Sequence, residues 1–251
     1  MRNAYKTQSI IYTLIALSVF LLSNYAIIIL RYFGIISTLT SAQFWLLNIL
    51  TQVLFPVIIW ILLLGSKKGL KHCGLIAPFL PALLIGLIAT TPMWLGFWVL
   101  SDQPTQWPWV TLLKQAFITG LVEEALFRGL LFGMLFRCAG WLFLPAAGFA
   151  ALLFGLGHLY QGGSFMSASS IFGITAIGSI WFSWLYLKWN FNLWVPIFMH
   201  ALMNAWWIVF SVDQTAMGDV TANVLRMLTI GLSIVLTFIW NPQKQTKKEV
   251  S

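Results

Sequence analysis

The sequence contains few charged residues. Only 8% of its 251 residues are Asp, Glu, Lys or Arg, whereas a soluble domain usually carries about 25%. Hydrophobic residues make up 60% of the chain, so too little polar surface is left to keep it dissolved. An ordinary cytosolic enzyme is therefore excluded. The apolar content is enough for about seven or eight membrane spans of about 20 residues each.

Cysteines and acidic residues are also scarce. The two cysteines, Cys73 and Cys138, form neither a CxxC pair nor a metal-type spacing, which gives no support to a disulfide framework or a cysteine-based zinc site. The 14 Lys and Arg outnumber six Asp and Glu, but they stand singly or in small groups between apolar runs. This distribution argues against a nucleic-acid partner and indicates membrane topology instead.

The apolar runs are long and do not alternate with polar residues, which predicts an all-α polytopic integral membrane protein rather than a β-barrel. The first run, from about residue 9 to residue 30, is longer than a signal-peptide core and is interpreted as a retained helix. Residues 1–251 are expected to form a single membrane domain with an intramembrane polar site. The eight predicted spans are 9–30, 42–64, 79–100, 112–136, 141–160, 165–187, 192–211 and 224–240.

The distribution of charge between the loops predicts the orientation. Ten basic residues fall on one side of the eight spans and one on the other, which predicts cytoplasmic amino and carboxyl termini in a bacterial cell (inner) membrane. The ten are Arg2, Lys6, Lys67, Lys68, Lys71, Arg137, Lys188, Lys244, Lys247 and Lys248. The other side receives Arg31, Asp102, Asp213 and Asp219.

Three ionisable residues stand together near the middle of the fourth predicted span. Glu123, Glu124 and Arg128 would each cost about 2.5–3.5 kcal/mol at membrane depth unless paired or in contact with water, so they mark a candidate functional site. Glu124 and Arg128 are four residues apart and can form an ion pair on one helix face. That pair is at least as compatible with a structural role as with catalysis. Glu123 points about 100° away from Glu124 around the helix axis and has no nearby cation on its own helix face.

Other strongly polar side chains occur in two later spans. His158 lies in the fifth, and His200 lies in the seventh with Asn204 one turn further on. A single intramembrane histidine is often only a hydrogen-bonded contact between helices. Convergence on the glutamates is nevertheless expected, since scattered polar groups would remain unsatisfied in the apolar medium. A carboxylate and an imidazole can deprotonate water, and histidine and asparagine N–H groups can stabilise an oxyanion.

These residues, in their order along the chain, resemble the CAAX-protease and bacteriocin-processing family (CPBP, also called Abi), which includes the Ras-converting CAAX endopeptidases. The family motifs EExxxR, FxxxH and HxxxN correspond here to Glu123–Arg128, Phe154–His158 and His200–Asn204. The resemblance covers a catalytic core of about residues 112–211. It implies a glutamate-dependent intramembrane endopeptidase.

The resemblance also implies a role for each motif residue. Glu123 and His158 would activate the water, whereas His200 and Asn204 would hold the oxyanion. Glu124 and Arg128 would support the site, and Phe154 would pack. The expected partners are the lipid bilayer and a membrane-embedded or lipidated substrate, such as a prenylated protein or a leader peptide.

Three alternatives to this interpretation concern either the cofactor or the function. No cofactor is favoured, but Glu123, His158 and His200 could form a zinc site of the His₂Glu type. Asn204 is a poor zinc ligand and a good oxyanion donor, which favours the metal-free interpretation. A non-catalytic immunity or scaffold protein would keep the same motifs for structure. A proton-coupled transporter would use the same residues as a relay but would ordinarily contain inverted repeats, which the sequence does not show.

Overall fold

The computed structural model describes residues 2–100 and 105–240. Within these ranges the chain is made of helices joined by short turns and contains no strand. The prediction of an all-α polytopic membrane protein is therefore confirmed. Four charged residues used to predict the orientation, Asp102, Lys244, Lys247 and Lys248, lie outside the described residues.

The described chain contains a helix at the position of each predicted span. The second contains a π-helical turn at Leu50–Leu54, and the third is interrupted at Thr90, two residues before Pro92, which has no N–H to continue the helix. The bounds are α1 Arg2–Tyr32, α2 Ser41–Leu64, α3 Ser66–Cys73, α4 Phe79–Leu100, α5 109–137, α6 Phe143–Leu156, α7 Phe165–Lys188, α8 Trp194–Val209 and α9 Val220–Ile239.

Within the described chain, six helical segments are long and apolar enough to cross a membrane, and the one that contains α6 reaches this length over Phe143–Gln161, which includes the turn after α6. The two remaining helices at predicted spans are α5 and α8. Helix α5 carries several charged residues, and α8 has 16 residues, or about 24 Å at 1.5 Å per residue, against about 30 Å of hydrocarbon. Membrane crossing by α5 and α8 stays a prediction.

Helix α3 was expected to be part of a loop, and that expectation is wrong. The sequence SKKGLKHC forms a short amphipathic helix in which Lys67, Lys68 and Lys71 are exposed and Cys73 is buried. It packs against α2 at Gly69, where a Cβ atom would lie 2.6 Å from the Cα atom of Ile61. Only glycine therefore allows this close approach of the two helices.

Hydrogen bonds between helix ends and turns define the two ends of the bundle. At one end, Arg137 Nη1 donates to the carbonyl of His72 at 2.9 Å, and the Leu193 N–H donates to the carbonyl of Gly74 at 3.2 Å. We call this end the basic face, after its described basic residues Lys6, Lys67, Lys68, Lys71, Arg137 and Lys188.

The other end, here called the opposite face, is defined by a second set of contacts. Lys114 Nζ donates to Ser41 Oγ at 2.9 Å, and the Gln106 N–H donates to the carbonyl of Val209 at 3.1 Å. The Ala216 N–H donates to the side chain of Gln161 at 3.0 Å.

Helix α5 occupies the centre of the bundle. Its residues 124–135 are all buried, and it contacts α1, α2, α6, α7 and α8. The main hydrophobic core surrounds it and includes Leu126, Leu130 and Phe132. The ionisable residues of α5 are therefore held by helices on several sides.

Candidate active site

The backbone of α5 is irregular on both sides of the paired glutamates. Leu112–Ile118 and Ala125–Phe132 are π-helical, and Thr119–Glu124 between them is α-helical. π-Helical turns in an α-helix are found frequently at functional sites, because the wider turn changes the direction of the side chains. Glu123 and Glu124 thus stand at the end of an α-helical turn bounded by two wider segments.

Glu124 is the centre of a buried ionic network. Its Oε1 atom accepts a hydrogen bond from Arg128 Nη1 at 2.9 Å and lies 2.7 Å from His200 Nδ1. Glu124 and Arg128 have no exposed side-chain surface. The ion pair expected from the four-residue spacing is therefore present, and its bond to His200 joins α5 to α8.

Two aromatic rings enclose the guanidinium group of Arg128. Its central carbon lies 5.0 Å from the ring centroid of Phe154 and 5.1 Å from that of Phe182. These distances are within the range of cation–π attraction, which is stronger for a desolvated cation. The Nε and Nη2 atoms of Arg128 are buried without a hydrogen-bond partner. The two rings and Glu124 are therefore the main groups that stabilise the buried positive charge.

Glu123 differs from Glu124 in burial and in its contacts. Its side chain is 25% exposed, and its Oε2 atom lies 3.7 Å from His200 Nε2. His200 therefore stands between the two glutamates, with Nδ1 at Glu124 and Nε2 toward Glu123. Glu123 has no cation on its own helix face, as its position in the sequence predicts.

His158 lies in the turn that follows α6. Its Nδ1 atom is 2.7 Å from the carbonyl oxygen of Phe154, so this nitrogen carries the proton and Nε2 is left free. The ring centroid of Phe154 lies 4.5 Å from that of His158 and 6.4 Å from that of His200. Phe154 thus connects the two histidines, in agreement with the packing role implied for it.

Asn204 lies one turn beyond His200 on α8 and is partly exposed. Its Nδ2 atom donates to the carbonyl of Gln115 on α5 at 3.4 Å, which is long for a hydrogen bond. A hydrogen bond of this length is weak and leaves the amide free to bind another acceptor. The structure therefore places α8 against α5 through both His200 and Asn204.

The described residues contain no group of three or more His, Cys, Asp or Glu side chains arranged to hold a metal ion. Of the three residues considered as zinc ligands, His200 directs Nδ1 to Glu124 and His158 directs Nδ1 to a backbone carbonyl. The metal-free site favoured from the sequence and the alternative zinc site at Glu123, His158 and His200 both stay untested expectations. Cys73 and Cys138 are both free cysteines.

One site residue belongs to none of the sequence motifs. The Phe182 ring on α7 stacks on the His200 ring at 5.4 Å with an interplanar angle of 17°, in addition to its contact with Arg128. Phe182 is one of many aromatic residues in an apolar helix, and nothing in its spacing distinguishes it. The sequence predicted that His200 converges on the glutamates but did not identify Glu124 as its partner, since a bond between residues 76 positions apart leaves no local pattern.

Comparison with known proteins finds a family model that matches this part of the chain. Residues 105–206 match the family model described as "Rce1-like: Type II CAAX prenyl endopeptidase Rce1-like". Comparison with curated proteins and with solved structures found no significant match. The matched segment contains all three motifs and all six residues of the predicted site. Over residues 105–206 the chain is therefore similar to the Rce1-like family of CAAX-type intramembrane proteases, which supports the resemblance to the wider CAAX-protease and bacteriocin-processing family.

Proposed function

We propose that the protein is a glutamate-dependent intramembrane endopeptidase that hydrolyses a peptide bond in a membrane-associated peptide or protein. The observation that carries this proposal is the position of His200 between two unlike glutamates. One is fully buried and paired with Arg128, and the other is partly exposed and has no basic partner on its own helix. This difference separates a supporting carboxylate from one that can reach water.

In the proposed reaction, Glu123 is the general base. A water molecule between Glu123 and His158 gives a proton to the Glu123 carboxylate, while its oxygen attacks the carbonyl carbon of the scissile bond. The Nδ1–H of His158 is occupied by the Phe154 carbonyl, so its Nε2 lone pair is available to accept a hydrogen bond from this water. Glu123 then transfers the proton to the leaving amine as the carbon–nitrogen bond breaks.

His200 and Asn204 are proposed to stabilise the oxyanion of the tetrahedral intermediate. Because Nδ1 of His200 is directed to Glu124, only its Nε2–H can reach the oxyanion, which requires the imidazolium form. The Asn204 amide would exchange its weak bond to Gln115 for a bond to the oxyanion. Donors of this kind typically contribute about 10²–10³-fold to the rate.

Glu124 and Arg128 are proposed as supporting residues rather than as residues that contact the substrate. Glu124 fixes the ring of His200 and fixes which nitrogen faces Glu123, in the way that a carboxylate orients the histidine of a catalytic triad. Arg128 compensates the charge of Glu124, and Phe154 and Phe182 hold Arg128 in place.

The proposed substrates are lipidated or membrane-embedded peptides, such as prenylated proteins or leader peptides, and the proposed location is a bacterial cell membrane with both termini in the cytoplasm. A CAAX motif ends at the carboxyl terminus of its protein. A short prenylated peptide with a free carboxyl terminus is therefore the first substrate to test. A peptide with an apolar leader segment is the second.

The test is cleavage by the purified protein in proteoliposomes, with products identified by mass spectrometry. We expect His158→Gln and Asn204→Ala to reduce cleavage by at least about 10²-fold. Asp213→Asn, which changes an exposed carboxylate in the loop before α9, is the matched control and should retain full activity. Undiminished cleavage by either site variant would contradict the assigned roles.

A further inference from the structure

His158 differs from the other predicted site residues in how it is held. The other five lie within α5 or α8, whereas His158 lies in the turn after α6. Its neighbours Gly157, Leu159 and Tyr160 in this turn are exposed. The bond from its imidazole to the Phe154 carbonyl orients the ring only while the main chain of the turn keeps its place. Because exposed turns with few buried contacts open most easily, the place of His158 depends on contacts that hold the turn to the rest of the protein.

Gln161 joins this turn to a distant loop. Its N–H donates to the carbonyl of His158 at 3.1 Å, and its side-chain Oε1 atom accepts a hydrogen bond from the Ala216 N–H at 3.0 Å. Ala216 lies in residues 210–219, which connect α8 to α9 and are here called the α8–α9 loop. Gln161 therefore bonds the turn that contains His158 to the α8–α9 loop.

Arg226 holds the same loop from α9. It is the only charged residue of α9 and lies in the second turn of this helix, and its Nη2 atom donates to the Ala216 carbonyl at 2.9 Å. Its Nη1 atom donates to Asn223 Oδ1 at 2.8 Å, and its guanidinium carbon lies 4.6 Å from the ring centroid of Trp207. A charged side chain in an apolar membrane helix is costly and is a candidate functional residue by default. Here it fixes the residue to which Gln161 is bonded.

The α8–α9 loop is itself packed against the helices that it joins. Gly218 has a φ of 62°, and a Cβ atom at this position would lie 2.5 Å from Cη2 of Trp207 on α8. The Asn223 side chain on α9 donates to the carbonyls of Met217 and Asp219 at 2.9 Å and 2.8 Å. The loop is therefore a fixed support for the turn after α6.

We propose that Gln161 and Arg226 are positioning residues for His158. The two side chains bond to the N–H and the carbonyl of the same residue, Ala216, and the Gln161 N–H bonds to the carbonyl of His158. They hold the main chain of the turn so that Nε2 of His158 meets the hydrolytic water, without contacting the substrate themselves. This role rests on the proposed function, because it requires His158 to accept a hydrogen bond from that water. Neither residue belongs to the three sequence motifs.

Three variants of the full-length protein separate this positioning role from a general structural one. Gln161→Met keeps the length of the side chain and removes the acceptor, whereas Gln161→Glu keeps an oxygen that can accept from the Ala216 N–H. Arg226→Met removes the bond to the Ala216 carbonyl. The matched control is Asp213→Asn, a substitution in the same loop that keeps the Oδ1 atom bonded to the Thr215 N–H.

Hydrogen exchange followed by mass spectrometry tests the support of the turn without measuring activity. Residues 157–163 should exchange about 2–10-fold faster in Gln161→Met and Arg226→Met than in the native protein, as the loss of one hydrogen bond predicts. Gln161→Glu and Asp213→Asn should exchange at the native rate. A native exchange rate of this segment in Gln161→Met would overturn the proposal.

Cleavage kinetics test the effect on His158. We expect the kcat of Gln161→Met to fall by about tenfold or more with KM unchanged, because a displaced catalytic group slows the chemical step without weakening substrate binding. Arg226→Met should change kcat in the same direction, and Gln161→Glu should keep most of the native rate. A native kcat in Gln161→Met, or an equal loss in Gln161→Met and Gln161→Glu, would overturn the proposal.

The double variant Gln161→Met/His158→Gln tests whether Gln161 acts through His158. If it does, the two effects are not additive, and Gln161→Met should lower kcat by less than about twofold once His158 is replaced. An undiminished loss in that background would place the action of Gln161 on another group and overturn the proposal. A native protein that shows the expected exchange rates but cleaves no prenylated or leader peptide would instead contradict the proposed function, and the positioning role with it.

Discussion

Replacing Glu124 with glutamine separates the roles of the two adjacent glutamates. The substitution keeps the shape of the side chain and removes its charge, which leaves the fully buried guanidinium of Arg128 without its ion-pair partner. Removing one member of a buried pair costs about 3–5 kcal/mol. We therefore expect Glu124→Gln to lower the free energy of unfolding by about 3–5 kcal/mol. Glu123→Gln should cost about 1 kcal/mol or less, because Glu123 is partly exposed and has no such partner.

The measurement is equilibrium unfolding by denaturant in detergent micelles, monitored by the far-ultraviolet circular dichroism of the helices. The double variant Glu124→Gln/Arg128→Met removes both charges, and replacing a buried ion pair by apolar side chains is often close to neutral. We expect the double variant to be more stable than Glu124→Gln alone. Equal costs for Glu123→Gln and Glu124→Gln, or a double variant whose cost is the sum of the single costs, would refute this account of the ionic network.

Other predictions concern packing, metal dependence and pH. Phe182→Leu should lower kcat by about tenfold or more with little change in KM, because the stacked ring fixes His200. The control is Phe97→Leu, a substitution at an equally buried position away from the site, which should leave kcat unchanged. Chelators should leave cleavage unchanged, whereas loss of activity that zinc restores would support the alternative zinc site. Burial, and to a lesser extent nearby Arg137, Lys71 and Lys68, lower the pKa of His72 from 6.5. Folding thus favours the neutral form of His72, so the stability of the protein should fall as pH drops below about 6.5. The fall should be smaller in His72→Asn. Thermal unfolding at several pH values measures both.

Most of the fold follows from the sequence, because long apolar runs must form helices in a membrane. Helix α3 was missed because eight residues with three lysines resemble a charged loop. Its inward positions, Gly69 and Cys73, are four residues apart and were the available signal. The π-helical segments of α5 had no such signal, because they depend on how neighbouring helices pack against it.

The sequence predicted the local contacts of the candidate site, whereas for residues on different helices it predicted convergence on the glutamates without the individual bonds. The Glu124–Arg128 pair follows from helical spacing, whereas the bond from Glu124 to His200 depends on how α5 and α8 meet. The sequence also assigned Asn204 and His200 to one helix face without indicating that the two nitrogens of His200 would be directed toward different glutamates. That arrangement leaves a single nitrogen of His200 for the proposed contact with the substrate.

The central claim is that Glu123 activates the hydrolytic water. The most direct measurement is the cleavage rate of the Glu123→Gln variant, compared with the native protein at equal concentrations of folded protein. The account predicts that kcat falls by about 10²–10⁴-fold while unfolding stability changes by about 1 kcal/mol or less. A Glu123→Gln protein that cleaves at the native rate would contradict it.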